Sequence, residues 1–190
     1  MSMVIAVAGS PRKTGNSTTL MRAVLKGAAR AGADVREVYL NGLTYRGCQG
    51  CSPCSPRGRC VVRDELTPVL EDLRCADGWV LACPIYYDGV CGQMKTFFDR
   101  CRTFTRDPRS RSLKPQLEGA RRAAVIVTYE DNPREEYGRE ARKLVHYLGW
   151  MGDFGEVGVL CEGNLGPRGA AAGRPDLLAR AEQMGERLFA

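Results

Sequence analysis

The chain has 190 residues, enough for one domain that buries roughly 70% of its unfolded surface. Hydrophobic residues make up 44% and charged residues 26%, an ordinary globular balance, and no apolar run reaches the roughly 18 residues of a membrane helix. The formal charge of +6 is too mild to point to nucleic acid and suits a protein that binds anionic cofactors. In chain order, Met3–Ala8 is a continuous apolar run, the pattern of a strand buried on both faces of a parallel sheet. It starts at once, leaving no room for a signal peptide, so a cytoplasmic location is expected. Gly9–Gly15 is a loop by composition, and Asn16 or Ser17 is placed to cap a helix reaching about Ala31. Val35–Leu40 reads as a second strand. Gly42–Arg63 lacks periodicity and reads as a loop, its cysteine-rich part at 44–63, and Asp64 caps a helix through about Cys75. Gly78–Pro84 is a buried strand with a proline stop, Gln93–Phe104 a helix with Met94, Phe97 and Phe98 on its apolar side, and 105–119 a basic loop. Ala123–Thr128 is a fourth strand, Arg134–Gly149 a helix, Gly155–Cys161 a fifth strand, Asn164–Arg174 a loop and Pro175–Leu188 the closing helix. Strands alternating with helices predict a three-layer α/β domain spanning 1–190, with a five-stranded parallel sheet.

By position and composition the first βα loop is either an ordinary turn before a capped helix or an anion site. Backbone N–H groups at a helix N-terminus attract anions, and Ser10, Ser17, Thr18 and Thr19 add hydroxyl donors. Gly9 and Gly15 let a ligand approach the backbone, and Arg12 and Lys13 offset its charge. The loop is neither a Walker loop nor the dinucleotide fingerprint, since no Lys-Ser or Lys-Thr follows Gly15.

Gly9-Ser10-Pro11-Arg12 followed by Gly15-Asn16-Ser17 resembles the FMN phosphate loop of the NAD(P)H-dependent FMN reductases, a branch of the flavodoxin superfamily. Pro84-Ile85-Tyr86-Tyr87-Asp88-Gly89 and the following Gly92–Arg100 resemble the flavin loop and next helix of the same branch. The resemblance implies strand order 2-1-3-4-5, with both motifs flanking the switch-point crevice. It implies that Ser10, Arg12, Asn16, Ser17 and Thr18 hold the phosphate, and that Pro84, Ile85, Tyr86 and Tyr87 line the isoalloxazine. Backbone N–H groups around Asp88 and Gly89 are placed by loop position to reach the flavin N5 or O4 region, and Thr128 and Tyr129 form a third flavin loop, the stretch 128–132. FMN with NAD(P)H as co-substrate and a small-molecule electron acceptor follow from the same resemblance, as does a homodimer or homotetramer.

Nine cysteines without a secretion signal should be mostly reduced. Cys48, Cys51, Cys54 and Cys60 have the spacing C-x2-C-x2-C-x5-C, which suits a [4Fe–4S] cube, with Gly50 and Pro53 bending the backbone and Arg46, Arg57, Arg59 and Arg63 offsetting thiolate charge. A zinc site, a redox dithiol and a cysteine loop without metal are the alternatives. The spacing also resembles the cluster motif of the iron–sulfur flavoproteins, which implies electron transfer between cluster and FMN, and a pure electron carrier as the rival to a reductase. Cys75, Cys83, Cys101 and Cys161 read as small core residues, and Cys91, just after the flavin loop, as core or flavin-facing. His146 reads as a helix-surface residue. The arginines between Arg100 and Arg122 form either a solvated stretch or a landing site for NADPH phosphates.

Overall fold

The computed structural model describes residues 2–51, 54, 58–107, 112–131 and 135–190; Pro53, Arg57 and Arg134 lie outside them, as do Arg109 and Arg111 of the arginines between Arg100 and Arg122 and Asn132 of the stretch 128–132. Six strands form the sheet: β1 (Met3–Ala8), β2 (Asp34–Tyr39), β3 (Gly78–Tyr86), β4 (Gly89–Val90), β5 (Leu117–Thr128) and β6 (Gly152–Glu162). The long strands run in the order β2-β1-β3-β5-β6, all parallel, which is the expected order once the short β4 is counted. The sequence reading missed β4, which pairs antiparallel with the end of β3.

Alternation along the strands explains the layers. Val4, Ala6 and Ala8 of β1 face one core with Val80, Ala82, Ala124 and Ile126. Ile5 and Val7 face the other with Trp79, Leu81, Val125 and Val127. Helices α1 (Asn16–Arg30) and α5 (Pro175–Phe189) cover the first core; α2 (Leu66–Cys75), α3 (Gly92–Arg100) and α4 (Glu135–Gly149) cover the second. Gly27 and Gly185 let α1 and α5 touch backbone to backbone: a Cβ at Gly27 would lie 1.9 Å from Glu182 O, and one at Gly185 1.9 Å from Val24 O.

Three expectations are corrected here. Pro84 does not stop β3; the strand runs two residues further, because β1 has ended beside Pro84 and the missing N–H leaves no ladder bond unmade. The Pro84 carbonyl instead accepts from Cys91 N at 3.2 Å. The cap of α1 is Gly15, not Asn16 or Ser17, so both side chains are free for other partners. The cap of α2 is likewise Glu65 rather than the expected Asp64, which instead braces the turn before it, accepting from Leu66 N at 3.2 Å while Thr67 Oγ1 accepts from Asp64 N at 3.0 Å.

Candidate functional site

The carboxyl ends of β1, β3 and β5 meet at one edge of the sheet, where the strand order reverses between β1 and β3. From β1 the chain enters the Gly9–Gly15 turn. Gly15 N donates to Arg12 O at 3.1 Å, and Ser10 Oγ accepts from Arg12 N at 3.1 Å. A Cβ at Gly15 would stand 2.6 Å from Ser10 Oγ, so glycine is what allows the turn to close on the serine. The first intrahelical bond of α1 is Thr19 N to Gly15 O at 2.9 Å, which leaves the N–H groups of Asn16, Ser17 and Thr18 ahead of it without helical partners. Thr18 Oγ1 donates to Arg12 O at 3.3 Å and braces the turn.

Ser17 is the telling residue. It is 1% exposed, yet among the described residues its hydroxyl has no hydrogen-bond partner. A buried hydroxyl left unpaired costs about 1–3 kcal/mol, so it marks a place for a ligand acceptor. An orphaned donor, a first helical turn of free N–H groups and a glycine cradle fit a phosphate group.

Asn16 is differently employed. Its Nδ2 donates to Leu165 O at 2.6 Å and Pro167 O at 3.1 Å, and its Oδ1 accepts from Ala171 N at 3.0 Å. Its side chain ties the β6–α5 loop to the phosphate turn, and its backbone N–H is what remains for an anion. That tie brings in Arg168, which donates to Thr14 Oγ1 at 3.2 Å and which sequence reasoning missed. Arg12 and Lys13 are exposed, and Tyr39 donates to Pro11 O at 2.5 Å to hold the turn from beneath.

From β3 the chain makes a two-residue hairpin into β4. Tyr87 and Asp88 both have positive φ, 51° and 56°, at the paired ends Tyr86 and Gly89, the signature of a type I′ turn. Tyr86 is 46% exposed and Tyr87 fully exposed, so both rings stand at the crevice rim. Pro84 and Ile85 are half-buried behind them. Asp88 Oδ1 accepts from Tyr137 OH at 2.7 Å, and the Tyr137 ring lies 4.5 Å from that of Tyr129. Tyr137 of α4 thus joins the second and third loops; no spacing signal in the sequence announced it. Thr128 and Tyr129 are buried at the end of β5, with Tyr129 N donating to Glu162 O at 3.1 Å.

The cysteine loop lies beside this edge. Cys48, Cys51, Cys54 and Cys60 line one small pocket with Val61, Val62, Arg100 and Arg102. Burial and then the neighbouring Cys60, Cys48 and Cys51 sulfurs push the Cys54 thiol up, with Arg102 opposing them. The donor set fits a thiolate-ligated centre, although among the described residues no group of three or more ligands stands at metal-binding geometry. Among the described residues, the cations that line the pocket are Arg100 and Arg102; of the loop arginines described, Arg59 pairs with Glu71 at 3.0 Å, and Arg46 and Arg63 are exposed. Arg100, 1% exposed, holds both ends of the loop. It donates to Arg46 O at 2.7 Å and Val62 O at 3.3 Å, and pairs bidentately with Asp64 at 2.6 and 3.2 Å. Arg121 is likewise buried and spends its guanidinium on the carbonyls of Ala76, Arg74, Glu118 and Gly119. Neither is part of a solvated basic stretch. Cys75 is exposed and Cys161 half-buried, against their reading as core, while Cys83, Cys91 and Cys101 are buried. His146 is exposed, its ring against Trp150.

Among the described residues no helix is long and apolar enough to cross a membrane. The family described as NADPH-dependent FMN reductase matches residues 2–151. An iron-sulfur flavoprotein of Archaeoglobus fulgidus is 32% identical over 157 residues, 80% of this chain and 69% of that one. YwqN of Bacillus subtilis, which bears the name of an NAD(P)H-dependent FMN-containing oxidoreductase, is 29% identical over 162 residues, 85% of this chain and 86% of its own. The chain spans about half the length of other iron-sulfur flavoproteins it matches, 51% for that of Methanosarcina thermophila. In fold it is similar to an FMN-dependent NADH-azoreductase from Bacillus anthracis solved with FMN, at a TM-score of 0.70, 13% identity and complete coverage of both chains.

Proposed function

We propose how this chain works from one premise: it belongs to the NADPH-dependent FMN reductase family. It is an oxidoreductase that carries hydride or electrons from NAD(P)H through FMN to a small-molecule acceptor. FMN, when bound, supplies the hydride and one-electron chemistry, and the protein positions it. The N–H groups at the start of α1 hold the phosphate together with Ser10 and Ser17, while Thr18 fixes the turn and Asn16 fixes the neighbouring loop. Arg12, Lys13 and Arg168 offset the phosphate charge. The hairpin Pro84–Gly89 and the pair Thr128 and Tyr129 border the ring, and Tyr137 locks the two loops together through Asp88. No side chain has to act as a nucleophile.

The observation that carries this reading is the buried, partnerless Ser17 hydroxyl beside the free N–H groups of α1. The test is a comparison of FMN with riboflavin by titration, followed by anaerobic mixing of the loaded protein with NADPH or NADH. Tighter FMN binding and rapid bleaching of the flavin band are expected. Equal affinity for both flavins, with no bleaching by either nicotinamide, overturns it.

The convergence of four thiols on one pocket favours a second reading, an iron–sulfur flavoprotein acting as an electron-transfer carrier. Cys48, Cys51, Cys54 and Cys60 would then hold a [4Fe–4S] cluster. Protein handled anaerobically and supplied with iron and sulfide should carry about four irons per chain, the content of a cube. Cys54→Ala should lose the iron and keep FMN. Iron-free protein after that treatment overturns the reading. Free thiols suit the reducing cytoplasm, where a homodimer or homotetramer is proposed.

A further inference from the structure

Arg100, at the end of α3, keeps one donor unspent. Its Nη1 donates to Arg46 O at 2.7 Å and Asp64 Oδ2 at 2.6 Å, and its Nη2 to Val62 O at 3.3 Å and Asp64 Oδ1 at 3.2 Å. Those acceptors use every N–H of the two terminal nitrogens, and a guanidinium has one more, on Nε. Arg100 is 1% exposed, and among the described residues its buried Nε has no hydrogen-bond partner. A charged donor left bare in the interior is costly, so it marks the place of a missing acceptor.

The planar fork fixes the direction of that acceptor. Asp64 takes one N–H of each terminal nitrogen from the end of the group. The second N–H of Nη2 goes to Val62 O, and in a guanidinium it runs side by side with Nε–H. Nε–H therefore faces the limb of the loop that carries Val62 and, two residues earlier, Cys60. Arg100, Cys60 and Val62 line the same small pocket as Cys48, Cys51 and Cys54. Arg102 lines it too, but is partly exposed and shares its charge with solvent.

We propose that Arg100 is a positioning residue for a thiolate-ligated centre in this pocket, its Nε–H donating to the Cys60 sulfur once that sulfur is a metal-bound thiolate. The inference rests on the reading of Cys48, Cys51, Cys54 and Cys60 as cluster ligands. A thiol is a weak acceptor, and a thiolate facing a guanidinium makes a charge-assisted bond, so the bond belongs to the ligand state. It holds the Cys60 sulfur with the same group that fixes both ends of the loop. It also draws electron density from the sulfur and so favours the reduced centre, since hydrogen bonds to the sulfurs help to set the potential of a cluster.

The test uses the whole protein carrying ¹⁵N only in its arginines. It is supplied anaerobically with iron and sulfide, assayed for iron, reduced with dithionite and examined by pulsed electron paramagnetic resonance. Hyperfine coupling of the cluster to an arginine nitrogen is expected; it should persist in Arg102→Lys and vanish in Arg100→Lys. Arg100→Lys keeps the charge without the Nε–H. It should lower the reduced-to-oxidised ratio of the cluster at a fixed potential about tenfold, the equivalent of about 59 mV for a one-electron couple. Asp64→Asn loosens the same clamp but leaves Nε in place, so its ratio should not fall. Iron-bearing wild type without arginine coupling overturns this proposal and leaves the cluster reading standing. Coupling lost in Arg102→Lys does the same, as does an equal fall of the ratio in Arg100→Lys and Asp64→Asn. Iron-free wild type overturns the cluster reading and this proposal with it. The wild-type spectrum needs no variant, so a misfolded Arg100→Lys does not shield the proposal.

Discussion

At the scale of single residues, two side chains carry sharp predictions. Ser17 is buried with its hydroxyl unpaired, so its worth is to the ligand rather than to the fold. Ser17→Ala should weaken FMN by about 10- to 150-fold, the equivalent of one charge-assisted hydrogen bond of roughly 1.5–3 kcal/mol. Riboflavin binding and the melting temperature of the flavin-free protein should hold or improve. Equal losses for both flavins would put the phosphate elsewhere. Tyr45, on the cysteine loop, donates to Gln93 O at 3.1 Å in the first turn of α3. Burial above all, then the nearby Cys91, pushes its phenol up to about 12 from an ordinary 10.0. The folded state therefore holds the proton where the unfolded chain releases it. The contribution is complete below pH 10 and drains as pH rises from 10 towards about 12. Denaturant titrations across that window should show a steeper loss for the wild type than for Tyr45→Phe, and parallel curves would refute the assignment.

At the scale of elements, the β3–β4 hairpin and the Asp64–Arg100 clamp are the informative pieces. A type I′ turn favours Asn and Gly, yet Tyr87 and Asp88 occupy it at φ 51° and 56°. Tyr87→Asn should relieve about 1 kcal/mol, raising the melting temperature by roughly 2–4 °C at this chain length. It should also weaken flavin binding, because the exposed ring does nothing for packing. A lower melting temperature would show that the tyrosine supports the fold after all. Arg100 and Asp64 pair with side chains 0% and 10% exposed, and breaking such a pair by removing one partner costs about 3–5 kcal/mol. Arg100→Met should cost that much by chemical denaturation and should speed alkylation of Cys54 and Cys60, since the loop ends at Arg46 and Val62 lose their common anchor. Unchanged thiol reactivity would mean that the loop holds itself.

For the whole molecule, the exposed apolar surface is the feature that packing leaves over. Tyr86 and Tyr87 stand at the crevice, while Leu113 and Trp150 are 76% and 54% exposed at the rim of a hollow of about 510 Å³ that reaches Cys48 and Gly50. Scattered apolar residues are ordinary, but these gather at the two candidate sites. Light scattering at micromolar concentration should find at least a dimer, the commonest closed form. A monomer with FMN bound would refute it.

Period and composition were enough to read the layered α/β fold, since a strand buried on both faces must be apolar throughout and loops rich in Gly, Ser and Pro break the periodicity between elements. Thus Met3–Ala8 matched its strand residue for residue, and Ser10, Ser17 and Thr18 are buried at the turn from β1 into α1. The spacing of Cys48, Cys51, Cys54 and Cys60 was local enough to foretell that they share a pocket. What only the tertiary structure decided were the partnerships between distant segments. Tyr137 lies 49 residues from Asp88, Asn16 149 residues from Leu165, and Arg100 36 residues from Asp64. Pro84 could continue its strand only because β1 ends beside it, and Cys91 N reaches Pro84 O only because Tyr87 and Asp88 accept a left-handed turn. A hydrogen bond's partner is set by where the backbone returns in space, and local periodicity carries no record of that return.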